Sequence, residues 1–216
     1  MADWCSATRT DRETGWFGTV DRLRLLHPQL HGELFQELRW TRAEVESTRD
    51  GIDVETLHLS PSDYAGLRLC RHWPILDLVR QWNLGRKLEL MSQKYIQSAS
   101  AVGLLTMPEP RALDYFNGGR ALQRMWLTAT EHEMAVHPMT TLPYVFAHVL
   151  RANGAGLDDE TTTRVRGLRP DYAQLFRVTP TCAEVLLFRI SVADATVRRS
   201  LRRPIDRVLQ FWPLEE

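Results

Sequence analysis

The chain has little of what would staple, anchor or steer it. Three cysteines, Cys5, Cys70 and Cys182, are spread over 216 residues. They are too few and too scattered for a disulfide framework or a thiolate zinc site. No apolar run approaches the roughly 18 residues of a membrane span. The stretch Met1 to Asp11 lacks the basic region, apolar segment and small-residue cleavage site of a secretory leader. The address expected from these absences is the cytoplasm. Charge of one sign is missing too: 27 basic and 27 acidic residues cancel to a formal net charge of zero. That argues against nucleic acid or membrane as a partner held by bulk electrostatics. Lysine is nearly absent, with Lys87 and Lys94 set among arginines. No Gly-x-Ser-x-Gly elbow, P-loop or dinucleotide-binding glycine loop occurs.

What is present is an ordinary globular composition, 44% hydrophobic and 25% charged, at the size of one domain. Residues 1–18 are polar, with Gly15 and Gly18 bracketing Trp16 and Phe17, and read as an extended arm ahead of a domain over 19–216. From Val20, apolar residues at Leu23, Leu26, Leu30, Leu34 and Leu38 recur with helical spacing, divided by Pro28 near a cap at His27. Thr41 with Glu44 has capping-box spacing, and Ser60-Pro61-Ser62-Asp63 repeats the start signal for a helix pair reaching Trp82. Residues 87–97 continue helical. Residues 98–106 are small and apolar on both faces, the texture of a strand buried on both sides. Arg111 to Met134 carries the longest helical pattern. Gly118-Gly119 inside it points to a close approach of backbone or ligand. A short strand at 135–137, a helix from Thr141 to Leu150, a mobile Gly- and charge-rich stretch at 153–169 and a strand at 185–190 complete the pattern. The fold class is α+β, helix-rich with a small central sheet.

Candidate chemistry is sparse. His27 and His31 are separated by Pro28, and His132 and His137 straddle a helix end. These are pairs, short of the three or four ligands zinc requires, so no metal is assigned. Cys70 and Cys182 lie in apolar stretches and read as inert core thiols. The strongest charge feature is Arg198, Arg199, Arg202, Arg203 and Arg207. Arginine forks suit a phosphate bidentately, and a solvated C-terminal face is the plainer alternative.

Several segments together resemble a known family. Ser98-Ala-Ser-Ala-Val-Gly-Leu-Leu-Thr106, then Tyr115-Phe-Asn-Gly-Gly-Arg-Ala-Leu-Gln-Arg-Met-Trp-Leu-Thr-Ala-Thr130, then His137-Pro-Met-Thr-Thr-Leu142 follow the order of the C-terminal half of the FMN-dependent nitroreductases. Leu186-Leu-Phe-Arg-Ile190 resembles that fold's last core strand, and Ser200-Leu-Arg-Arg-Pro-Ile-Asp-Arg-Val-Leu209 its closing basic segment. More narrowly, residues 37–41 and 48–57 are similar to stretches of actinobacterial nitroreductase-like domains, some fused behind a ThiF-like adenylyltransferase. The resemblance implies an intertwined homodimer with FMN at the interface, reduced by NAD(P)H and passing electrons to a small-molecule acceptor. It implies a cofactor site in which Arg202 and Arg203 hold the FMN phosphate. Met139, Thr140, Thr141 and Leu142 would meet the ring, and Ser98 and Ser100 would lie beside it. It assigns no catalytic side chain.

The family's N-terminal Arg-Arg-Ser-x-Arg segment has only a remnant here, Arg9-Thr-Asp-Arg12, and its Pro-Ser-x-x-Asn-x-Gln-Pro-Trp segment has no counterpart. The N-terminal flavin-binding elements are thus shortened. Two functions follow as expectations: an oxidoreductase working through FMN, with a substrate in small-molecule biosynthesis, or a non-redox descendant kept for ligand binding, dimerisation or scaffolding a ThiF-like partner.

Overall fold

The computed structural model describes residues 3–7, 11–57, 59–192 and 199–211. Arg198 of the arginine cluster, and Arg9 and Thr10 of the N-terminal remnant, lie outside them.

Among the described residues, four antiparallel strands form the central sheet in the order β1-β4-β6-β5. They are β1 (Asp3–Ala7), β4 (Ala101–Met107), β6 (Ala183–Val192) and β5 (Met134–Pro138). Strands β4 and β6 pair from Ala101↔Ile190 to Met107↔Ala183, with an irregularity between Leu105 and Thr106. These central strands are the two expected at 98–106, read as buried on both faces, and at 185–190, and Leu104, Leu105 and Leu187 are fully inaccessible. A second sheet of two parallel two-residue strands, β2 (Leu38–Arg39) and β3 (Ile52–Asp53), lies apart.

Each face of the main sheet packs against helix. On one face α7 (Ala112–Glu131) sets Ala121, Leu122 and Met125 against Leu105, Leu186 and Phe188. Gly118 makes this approach close: a Cβ there would lie 2.6 Å from Val185 Cγ2. On the other face the larger core gathers Val102, Leu104 and Leu187 with helices α1 (Asp11–Leu26), α8 (Thr141–Arg151) and α9 (Asp159–Leu175). Helix α6 (Arg86–Gln97) lies along α1, where Gly18 admits the Glu89 carbonyl.

The structure differs from the sequence reading in two places. Residues expected as an extended arm hold a strand at the sheet edge and the first half of α1, whose Trp16, Phe17 and Val20 are buried in the larger core. Burial of each such side chain stabilises by roughly 1.5–3 kcal/mol, enough to outweigh two glycines in the helix. The stretch at 153–169, expected to be mobile, instead turns at Gly154 and Gly156 and enters α9. Asp158 caps that helix by accepting from Thr161 N–H at 2.7 Å, and Val165, Tyr172 and Phe176 anchor it in the core. Arg164, Arg166 and Arg169 flank Val165 and Leu168, so charge hid the start of this apolar stripe.

Elsewhere local signals and structure agree. Pro28 opens α2 (Pro28–Glu37) after His27. Thr41 and Glu44 close a reciprocal capping box on α3 (Arg42–Thr48). Ser60 caps α4 (Pro61–Cys70), and α5 (Trp73–Gln81) follows. No helix among the described residues is long and apolar enough to cross a membrane, and none of them form a cluster able to hold a metal ion.

Candidate functional site

The break between α1 and α2 at His27-Pro28 bends the chain back and leaves an open cleft against the start of α8. Its volume is about 410 Å³. Leu30 and Val145, both buried, form the floor; Thr140, Thr141 and Tyr144 form one wall, and Glu33 and Glu37, one turn apart on α2, form the other. Arg24, in the last turn of α1, reaches in and donates from Nη1 to Thr141 Oγ1 at 3.0 Å. Among the described residues this is the only hydrogen-bond partner of the Arg24 guanidinium. Burial draws its pKa below the usual arginine value, and Asp21, Glu33, Tyr144 and Glu37 pull it back up. A partly desolvated cation with most of its five donors unused is the sharpest chemical feature of the cleft. Helix α8 also starts without a side-chain cap at Thr140, so its first-turn amides have no intrahelical acceptor.

Some of the site residues assigned by resemblance come together around β6. Ser98 Oγ accepts from Arg189 Nη1 at 3.3 Å, Ser100 N–H donates to the Ile190 carbonyl at 2.8 Å, and Met139 N–H donates to the Leu187 carbonyl at 2.8 Å. Residues 98–100 and residue 139 therefore meet one four-residue span of a single strand. Thr140 and Thr141 face the Arg24 cleft, whereas Leu142 is 2% exposed and belongs to the core. His137 pairs with Arg189 across the β5–β6 ladder. The ring keeps solvent-exposed surface, yet desolvation by its neighbours, then the charge of Arg189, pushes its pKa below the ordinary histidine value.

Arg202 and Arg203 are placed elsewhere. Arg49, in the left-handed conformation that ends α3, donates from Nε to the Arg202 carbonyl at 2.8 Å. Arg203 forms an ion pair with Asp50, whose other oxygen accepts from Arg39 Nη2 at 2.8 Å. These two arginines hold Asp50 down to a pKa of about 2. The Arg203 fork thus already has an anion, supplied by its own chain. Arg202 Nη1 turns to the carbonyls of Ser200 and Leu201.

A second hollow, of about 450 Å³ and mainly apolar, lies between α7 and the edge of β5 and β6, lined by Ala121, Met125, Met134 and Ile190 among others. The outer side of α7 leaves Leu113, Phe116 and Leu127 exposed, with Phe116 at 65%. On the same helix Leu122 and Met125 pack against the sheet instead.

Sequence reasoning missed Arg24, Glu33, Glu37 and Tyr144. Arg24 lies between Leu23 and Leu25 in a helix that also carries Asp21 and Arg22, where an arginine reads as solvated surface. Its partner Thr141 is 117 residues away.

No family model and no solved structure matches the chain. An uncharacterized protein of Mycobacterium tuberculosis (strain CDC 1551 / Oshkosh), MT1398, is 29% identical over 202 residues, covering 92% of this chain. The chain spans only about a quarter of that relative's length, 27%.

Proposed function

We propose that this domain is an FMN-dependent oxidoreductase of the nitroreductase type, working as a homodimer with flavin between the copies. One observation carries the reading: Ser98, Ser100 and Met139, assigned to one flavin site by resemblance, all meet residues 187–190 of β6. The open apolar face of α7 supports a second copy, because an exposed stripe of large apolar side chains favours burial in an interface.

The residues fit a flavin unevenly. At the ring end, the hydroxyls of Thr140 and Thr141 and the uncapped start of α8 supply hydrogen-bonding groups beside an apolar floor. At the phosphate end, Arg203 would have to exchange Asp50 for the phosphate. Arg203 is more than half exposed, and the exchange would leave Asp50 paired with Arg39. Bound flavin would supply hydride transfer between a nicotinamide or organic donor and an acceptor. The chain's own residues bind and orient. Arg189 holds Ser98 at the sheet end, Met139 is fixed by its amide to β6, and Arg202 and Arg203 carry the charge for the phosphate.

The test is an absorbance spectrum of the purified protein followed by titration with FMN. Retained flavin, or binding in the micromolar range, is expected. The double variant Arg202→Ala with Arg203→Ala should lose flavin while keeping the dimer. No binding at high micromolar FMN overturns the reading.

One observation favours the alternative, a non-redox module for ligand binding or for scaffolding an adenylyltransferase-like partner: Asp50 and Arg49 engage the C-terminal basic segment within its own chain. A colourless protein that neither binds FMN nor oxidises NAD(P)H is its expected signature.

A further inference from the structure

Arg24 presents an imbalance that the flavin reading does not use. Its guanidinium is partly buried, spends one hydrogen bond on Thr141, and makes no ion pair within the described residues. Three carboxylates, Asp21, Glu33 and Glu37, act on its charge from a distance without closing on it. Open donors beside desolvated surface call for an acceptor, and the acceptor that best suits the fork of an arginine is a carboxylate or another planar oxyanion.

The cleft also says what that oxyanion must be attached to. Glu33 and Glu37 line the opposite wall with two negative charges, so a phosphate dianion or a dicarboxylate entering here meets like charge at close quarters. A ligand carrying an ammonium group turns that repulsion into attraction. Between the two walls lie the Leu30 and Val145 floor and the exposed Tyr144 ring, which suit an apolar or aromatic body. The volume of about 410 Å³ falls within the roughly 300–1,000 Å³ of small-molecule sites. We propose that the Arg24 cleft binds a zwitterion of the α-amino-acid class with an apolar side chain, its carboxylate on Arg24 and Thr141 and its ammonium toward Glu33 and Glu37.

The inference shares the Thr140–Thr141 wall with the flavin reading but stands without it, and the experiment separates the two. Calorimetric titration of the full chain uses L-phenylalanine, 3-phenylpropionate, which lacks the ammonium, and phenethylamine, which lacks the carboxylate. L-Phenylalanine should bind at least about tenfold more tightly than either analogue, as expected when a charge-assisted contact is lost. Arg24→Gln should abolish its binding. Glu33→Gln with Glu37→Gln should weaken L-phenylalanine and strengthen 3-phenylpropionate, because the repelling charges are gone. Both glutamates are exposed, so this second variant decides the matter even if Arg24→Gln fails to fold.

Equal binding of L-phenylalanine and phenethylamine, unchanged binding by folded Arg24→Gln, or no binding of L-phenylalanine at millimolar concentration overturns the proposal. The titrations are run without flavin and again with FMN. L-Phenylalanine binding with no FMN binding upholds the zwitterion site and sinks the flavin reading; FMN binding alone does the reverse.

Discussion

Gly118 and Val185 are in contact so close that no other residue fits at 118: an added Cβ would sit 2.6 Å from Val185 Cγ2 and 2.9 Å from Cγ1. The next residue, Gly119, has nothing within 4 Å of the same added atom. Two adjacent glycines in one helix therefore carry opposite meanings, one demanded by the sheet and one unconstrained.

Gly118→Ala should destabilise the domain by about 1–2 kcal/mol, overpacking against a stiff branched side chain exceeding the gain in helix propensity. Gly119→Ala should stabilise it by about 0.5–1 kcal/mol. Urea unfolding of the two variants checks both signs, and equal effects would contradict the packing of α7 on β6.

Arg169 of α9 bonds both oxygens of Glu184 on β6, at 2.5 and 3.0 Å, while its guanidinium lies over the rings of Phe146 and Tyr172 at 5.1 and 5.2 Å. Burial, with Glu184 adding to it, pushes the Tyr172 hydroxyl far above the usual phenol value. Glu184→Gln should cost about 2 kcal/mol, since it leaves a partly buried arginine without its counter-charge. A shifted urea midpoint with unchanged slope is the expected result.

Asp50 has a folded pKa of about 2 against an ordinary 3.8. A depressed carboxyl pKa contributes stability that is complete above the unfolded value and lost as pH falls through the folded one. The stability contributed by the contacts of Arg203 and Arg39 with Asp50 should thus be complete at pH 5 and lost between about pH 4 and 2, the contacts themselves breaking as the pH falls through about 2. A carboxyl-carbon NMR titration of Asp50 checks this, and Asp50→Asn should release Arg203 at neutral pH.

His137 should titrate below the ordinary histidine range and be neutral at pH 7. Arg189→Gln should move its pKa upward only in part, because desolvation, the larger cause, remains. The sign is again that of a depressed group: stability falls as acid protonates the unfolded chain first. Imidazole chemical shifts followed against pH give both values.

Legibility in the sequence followed the range of the interaction. Thr41 with Glu44 and Ser60 with Asp63 act over three residues and set helix starts that local spacing reveals. Strand β4 announced itself because burial on both faces leaves no polar alternation. Trp16 and Phe17 did not, since glycines and charges around them dilute the helical stripe that their burial creates. The groups at the two candidate sites were the least readable. Arg24 meets Thr141 across 117 residues, and Asp50 meets Arg203 across 153, so each pairing exists only once the fold does.

The position of β4 fixes the order in which the chain can become safe in a cell. Its two neighbours are β1, nearly a hundred residues earlier, and β6, about eighty residues later. During synthesis the long apolar strand holding Leu104 and Leu105 must wait, paired on one side at most, until residue 192 has left the ribosome. At ~5–20 residues per second that wait lasts several seconds. The last strand to be made is thus the one that closes the sheet, and a pause or truncation ahead of it would leave an unpaired apolar edge for chaperones, or for other nascent chains, to find.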